Sequence, residues 1–434
     1  MPDLAYATKT KDGLTATIYR GDRSVLLAFD LPVEQTADLA GFAVQVTPPG
    51  NGRPYWIKNR ISFDSDLRPS DTAEDRKWTP TNKAPLQGFS WAHFPATPKE
   101  GIYTFDATAM YFTGEDKVKD GPTVSVKSRV TAEDHPNFDL AFTRGYIQSQ
   151  AYADRFKDNL KFRPVGNSVD YDTAEFKAKY EWLGGGAREL IFDFLDDCVA
   201  DANCNLDVLA YDLDEPDILR RLVTIGRQGR LRAFLDDAPL HTGDAREVQA
   251  RAMLEEAAPG NIKVGHLGRF QHHKVLVKRK NGQAVKALAG SANFSVRGLY
   301  VQANNVLVYR DPDVAGRFGG VFEALFGAAK GRSKSAFLQS PLSRKWFPAD
   351  GDGKPNGNVS FAPHADSQVS LKEVADAIDG AQSSVLFAIM GLTGGGPVLD
   401  AVRGFASEDR IFTYGVTQSA ESGSIGLYKP GSKT

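Results

Sequence analysis

The chain has 434 residues, 41% hydrophobic and 24% charged, enough for two or three globular units with a sizeable core. A formal net charge of -2 and a pI near 6.4 exclude a global basic field drawing it to DNA, RNA or anionic lipid, though a local groove can still be basic. Cys198 and Cys204 alone make no disulfide framework. The opening MPDLAYATKTKDGLT lacks a signal-peptide core, and no apolar run reaches membrane-spanning length. A cytoplasmic protein with no integral membrane segment is therefore expected.

Residues 1–130 carry short β-rich runs at 14–19, 24–31, 42–46, 55–57, 102–112 and 123–130. Turn residues such as Gly21-Asp22 and Pro48-Pro49-Gly50 separate them, and several runs alternate apolar and polar side chains. This spacing predicts an all-β sandwich with an accessory role. His93, between Trp91 and Phe94, reads as a packed or surface histidine. Residues 131–171 are polar and irregular, a predicted linker with a short helix near 150–158.

From residue 172 to 330 the pattern turns α/β. Helical runs at 189–200 and 217–226 alternate with strands at 206–211 and 231–235, which predicts a sheet covered by helices. Asp212, Asp214, Glu215 and Asp217 lie between a strand and a helix opened by Pro216, and capping is their expected role. The glycine runs at 184–186 and 394–396 lack the ending of a phosphate loop and read as turns. Residues 331–358 are a second predicted linker, and a further α/β segment occupies 359–434. In it, 384–389, 398–402 and 410–414 repeat the character of 206–211, 218–222 and 230–234. The last two pairs share an offset of 180 residues, which reads as an internal duplication.

The chemistry concentrates at Phe270-Gln271-His272-His273-Lys274. On a strand, His272, Lys274 and Leu276 share one face. Asn281-Gly282 predicts a tight hairpin, which would set His272 opposite Ser291 and Lys274 opposite Ala289. The returning strand ends in Gly290-Ser291-Ala292-Asn293, so an imidazole, an ammonium, a hydroxyl and a carboxamide converge. Such a set suits a phosphodiester. Imidazole can attack phosphorus or protonate a leaving oxygen, and Lys274 and Asn293 can hold the non-bridging oxygens. Gly290 allows close backbone approach.

His272-x-Lys274 followed by Gly290-Ser291-x-Asn293 resembles the HKD motif of the phospholipase D superfamily, a likeness extending over roughly 172–434. The resemblance implies a metal-independent phosphodiesterase without cofactor. Two such motifs meet at one site, one histidine forming a phosphohistidine and the other acting as acid and then base. It gives those roles to His272, Lys274, Ser291 and Asn293. Two positions depart from the pattern. The motif's aspartate falls on Arg279, and the acid that often follows the second half is replaced by Gln302, Asn304 and Asn305. Asn304 and Asn305 are the expected supporting amides.

The expectation is a multidomain chain: a β-sandwich, then a phospholipase D-like α/β region whose second repeat is incomplete. Its substrate is a phosphodiester, with a phospholipid head group or small diester favoured over nucleic acid by the near-neutral charge. A metal-independent nuclease and a non-catalytic binding scaffold are the alternatives. The offset puts a partner histidine near about position 452, past Thr434. His364 is misplaced for the role, Lys429, Ser432 and Lys433 form no His-x-Lys, and 423–431 read as an unfinished loop. Half a site in each chain is expected, or else a homodimer pairing two copies of His272.

Overall fold

The computed structural model describes residues 6–50, 52–63, 78–95, 98–114, 117–131, 133–134, 138–147, 149–157, 159–237, 245–268, 270–349, 357–366, 368–389, 394–405 and 411–417. The expected final loop at 423–431, with Lys429, Ser432 and Lys433, lies outside the described residues. No helix among the described residues is long and apolar enough to cross a membrane.

The first ten strands are β1 (Tyr6–Lys11), β2 (Leu14–Gly21), β3 (Ser24–Asp30), β4 (Leu39–Thr47), β5 (Tyr55–Trp56), β6 (Lys58–Asn59), β7 (Thr79–Pro80), β8 (Ser90–His93), β9 (Gly101–Gly114) and β10 (Lys117–Val130). They form two four-stranded antiparallel sheets, ordered β1-β2-β3-β8 and β10-β9-β4-β5, and a small β6-β7 ribbon. Strand alternation turns Leu14, Ala16 and Ile18 of β2, Val25 and Leu27 of β3, Tyr103 and Phe105 of β9, and Val124 and Val126 of β10 into one shared core. His93 is packed at its margin, its Nε2 2.9 Å from the Tyr55 hydroxyl.

Residues 131–171 depart from the expected linker. Besides α1 (Gln150–Phe156), the short helix expected near 150–158, they contribute two unexpected strands, β11 (Glu133–Asp134) and β12 (Phe138–Phe142). β12 pairs antiparallel with β18 (Asn305–Tyr309), Phe138 opposite Tyr309 and Phe142 opposite Asn305. Its five residues resemble a strand too little to be noticed alone. A partner far along the chain supplies the hydrogen bonds that order it.

The main sheet has eight strands, ordered β11-β12-β18-β17-β16-β13-β14-β15. Here β13 is Cys204–Ala210, β14 Leu231–Leu235, β15 Ile262–Val264, β16 Lys274–Lys280 and β17 Gln283–Gly290. β13, β14 and β15 run parallel; β16, β17 and β18 form an antiparallel meander beside them. The helices α2 (Lys177–Ala200), α3 (Pro216–Arg227), α4 (Arg246–Ala257) and α5 (Val296–Tyr300) contribute to the core on one face. α6 (Pro312–Phe326) and α7 (Ser333–Gln339) cover the other. α7, with its buried Phe337, lies within the second expected linker. So does part of the ribbon of β19 (Phe347–Pro348) and β20 (Asn358–Val359).

α3 shows how local sequence and packing agree. Pro216 supplies a fixed φ at the first turn, and the Glu215 side chain accepts from the Ile218 amide at 2.7 Å. Ile218, Leu219, Leu222, Val223 and Ile225 then form the buried stripe. Leu222→Ala should cost about 2–5 kcal/mol, because the packed neighbours relax only in part. The glycine run at 184–186 falls inside α2, where Gly185 (φ 51°) kinks the helix.

Further along, α8 (Gln368–Asp379) precedes β21 (Ser384–Ile389), α9 (Pro397–Phe405) and β22 (Phe412–Thr417). β21 and β22 pair in parallel as a separate two-stranded sheet. Leu386, Phe412, Tyr414 and Val416 are exposed on it.

Candidate active site

The β16–β17 hairpin carries the His-x-Lys segment. Asn281 (φ 50°) and Gly282 (φ 79°) both take the left-handed conformation, which closes a tight turn matching the strands' twist. Next to the turn, Lys280 faces Gln283 and Arg279 faces Ala284. A bulge beyond Lys278 then shifts the register, so Lys278 faces Lys286 and Val275, not Lys274, faces Ala289. His272 precedes the paired strand, so the expected opposition to Ser291 is also corrected. The cause is one extra residue, Val285, on the returning strand. Side-chain alternation is unaffected on β16: Leu276 packs with α2 and α3, while Val275 and Val277 pack with α6.

Tyr211 and Asp212, just past β13, form the hub of the site. The Tyr211 amide donates to the His273 carbonyl at 3.1 Å, extending the strand ladder beyond β16. The Tyr211 ring lies edge-to-face with the His272 ring at 4.5 Å between centroids, and Lys274 Nζ is 4.9 Å from the Tyr211 centroid. Asn293 Nδ2 donates to Asp212 Oδ2 at 2.8 Å. His272, Lys274 and Asn293 are thus each in contact with one two-residue segment. His272 is exposed, whereas Lys274 is only 6% exposed.

Electrostatics set the state of Lys274. Burial pushes its ammonium down to about 8, and Asp212 and Asp236 oppose that fall. Its Nζ also donates to the His272 carbonyl at 2.8 Å. Asp236, after β14, accepts from the Gln271 amide at 2.6 Å. Gln271 is fully buried; its Nε2 donates to the Phe234 carbonyl and its Oε1 accepts from the His273 amide. The chain entering His272 is therefore clamped from both sides. His273 points elsewhere: burial pushes its imidazole down to about 4, and its buried Nδ1 has no hydrogen-bond partner among the described residues.

The remaining expected residues have scaffolding contacts. Ser291 Oγ accepts from the Asn305 amide at 3.0 Å, and the Ser291 and Ala292 amides donate to the Asn305 carbonyl. Gly290 is needed for this approach, since a Cβ there would lie 2.3 Å from the Asn305 carbonyl oxygen. Asn304 Nδ2 donates to the Gly298 carbonyl at 2.7 Å. The contacts of Asn304 and Asn305 brace the loop backbone.

Arg279 lies at the opposite end of β16 from Lys274, five residues and roughly 17 Å of strand away. It pairs with the buried Asp207 and with Glu323 at 3.0 Å. His364 is bonded through Nδ1 to the Ser343 carbonyl at 3.2 Å.

Asp212 and Asp236 are the functional candidates that the sequence reading missed. Glu215 does cap α3, but Asp212 turns to Asn293. Asp214 accepts from the Val296 amide at 2.8 Å and pairs with Arg163 at 3.0 Å. The available signal was their place at the carboxyl ends of adjacent parallel strands, where α/β sheets form ligand sites. Among the described residues no group of three or more His, Cys, Asp or Glu side chains is placed to hold a metal ion.

No protein-family model matches the chain, and no curated protein sequence matches it significantly. Among solved structures, it is similar to Nuc from Salmonella typhimurium, described as a phospholipase D family member. That match has 24% identity and a TM-score of 0.27, and covers 32% of this chain and 84% of Nuc. NucT from Helicobacter pylori shares 15% identity at a TM-score of 0.24, over 31% of this chain and 87% of that one. Polyphosphate kinase from Porphyromonas gingivalis shares 11% identity at a TM-score of 0.32, over 55% and 40%. All three likenesses are low in TM-score and partial in extent.

Proposed function

We propose that this chain carries a phosphodiester-cleaving site built on His272, Lys274 and Asn293, with Asp212 as its anchor. The observation that supports the reading is the gathering of the three groups on the Tyr211-Asp212 segment. A His272 ring nitrogen attacks phosphorus; a P–N bond forms as the P–O bond to the leaving alcohol breaks. Lys274 and the second Nδ2 hydrogen of Asn293 stabilise the charge gathering on the non-bridging oxygens. Water then cleaves the phosphohistidine and releases the phosphomonoester. The leaving oxygen needs a proton from a second acid, a role that a second copy's His272 would fill in a symmetric dimer. Ser291, with Gly290 and Asn305, holds the loop that presents Asn293.

The two N-terminal sheets are proposed as an accessory β-sandwich. It meets the rest through Arg23 and Glu189 at 2.6 Å, and through Trp78 Nε1 and Asp154 at 3.0 Å.

The direct experiment is trapping with a chromogenic phosphodiester in an alkaline denaturing quench, which spares the acid-labile P–N bond, followed by mass spectrometry. A phosphoryl adduct on His272, absent from the folded variant His272→Ala along with turnover, is the expected result. Wild-type turnover by His272→Ala would remove His272 from the mechanism. Turnover in the presence of EDTA should match that without it; loss restored by a divalent ion would overturn the metal-independent reading.

A further inference from the structure

A cavity of about 540 Å³ lies on the α6 side of β16, within the roughly 300–1,000 Å³ range of small-ligand pockets. Phe270, Val275, Ala289, Tyr309, Phe318 and Phe361 wall it. Among the described residues no carboxylate and no arginine lines it. The cavity reaches two groups of the proposed reaction site, since His272 and Lys274 line it, as does Gly290. His273 also borders it, with a hydrogen bond to the Ala362 backbone.

The balance of these walls selects the ligand. A nucleobase would bring several donors and acceptors on its edge, and each left unpaired there costs about 1–3 kcal/mol. Against that edge the described walls offer five polar side chains, Ser360, Tyr309, His272, His273 and Lys274, and two of these, His272 and Lys274, are the ones proposed to meet the phosphate. An alkyl chain needs no partners and gains from every apolar wall. We propose that this cavity receives an alkyl ester group of the phosphodiester whose phosphate meets His272 and Lys274. The assignment rests on the phosphodiester reading and narrows its substrate class to alkyl phosphodiesters.

Titration calorimetry with inorganic phosphate, ethyl, butyl and hexyl phosphate, and the matching alcohols tests it without requiring turnover. Affinity should rise about fourfold per methylene along the alkyl phosphates, the ratio expected from burying each one. Ser360→Trp and Ala289→Leu, which fill the cavity from different sides, should flatten that series and leave inorganic phosphate affinity unchanged. Thermal melts confirm that each variant is folded. Phosphate binding without chain-length dependence would overturn the cavity assignment and leave the phosphodiester reading standing. Chain-length dependence among the alcohols, with no phosphate binding, would instead overturn the phosphodiester reading. Adenosine monophosphate binding more tightly than butyl phosphate, and losing that advantage in Ser360→Trp, would overturn the alkyl assignment.

Discussion

Asn293 donates its Nδ2 to Asp212 Oδ2 at 2.8 Å, joining the loop after β17 to the end of β13 across 81 positions of sequence. The same carboxylate acts on Lys274, whose ammonium it favours against the cost of burial. One acid therefore holds the Asn293 amide and helps sustain the charge of Lys274.

Replacing Asp212 should separate those two effects. Asp212→Asn keeps an oxygen that can accept from Asn293 but removes the charge, so the Lys274 ammonium should lose its proton at a lower pH than in the wild type. Inorganic phosphate affinity, followed by calorimetry across pH, should begin to fall earlier as pH rises. A pH profile identical to the wild type would remove Asp212 from the site.

Lys274 itself sets a pH limit. Below about 8 its ammonium is present and, under the proposed function, binds phosphate; above that value the charge, and with it that affinity, should be lost. Stability runs the other way. In the unfolded chain the lysine titrates near 10.5, so between about 8 and 10.5 the unfolded state binds more protons than the folded one. This contribution therefore rises with pH across that window. The melting temperature of the wild type relative to Lys274→Met should climb from pH 8 to 10; a constant difference would contradict the assignment.

Acid should destabilise the fold through two histidines. Burial pushes both His93 and His273 from about 6.5 down to about 4. As pH falls from about 6.5 towards 4, the unfolded chain takes up protons that these native imidazoles refuse, and stability drops. Urea midpoints measured at pH 7 and pH 5 should differ less in His93→Gln than in the wild type, and likewise in His273→Gln. Equal losses in all three proteins would show that neither ring is held neutral.

The motif position occupied by Arg279 should be structural. Asp207, almost wholly buried, binds Arg232 at 2.8 Å as well as Arg279. Asp207→Ala leaves two guanidinium groups without their shared partner and should cost about 3–5 kcal/mol. Arg279→Asp, which sets one carboxylate against another, should also lower the denaturation midpoint. Increased stability or phosphodiesterase activity in Arg279→Asp would show that the position serves the reaction.

Gly290→Ala tests the backbone approach at the end of β17. Its Cβ would sit 2.3 Å from the Asn305 carbonyl oxygen and 2.9 Å from Val306 Cα, so the strands must part. A loss of about 1–3 kcal/mol is expected. Unchanged melting would show that the loop relaxes freely.

What the sequence determined by itself was local. Two-residue alternation marked β2, β3, β9 and β10, and Asn281-Gly282 marked the hairpin tip, because side-chain period and positive φ are properties of a few adjacent residues. His272, Lys274 and Asn293 stood out for the chemistry of their side chains and their spacing. Only the tertiary structure decided which groups meet them. The bulge at Val285 moved the hairpin register by one residue, β12 joined the sheet through β18, and Asp212 turned from the expected capping role to Asn293. Each of these choices depends on hydrogen bonds, packing and charge compensation satisfied together, in several cases across long stretches of chain. A local pattern of residue types cannot encode which partner lies nearest once the sheet has assembled.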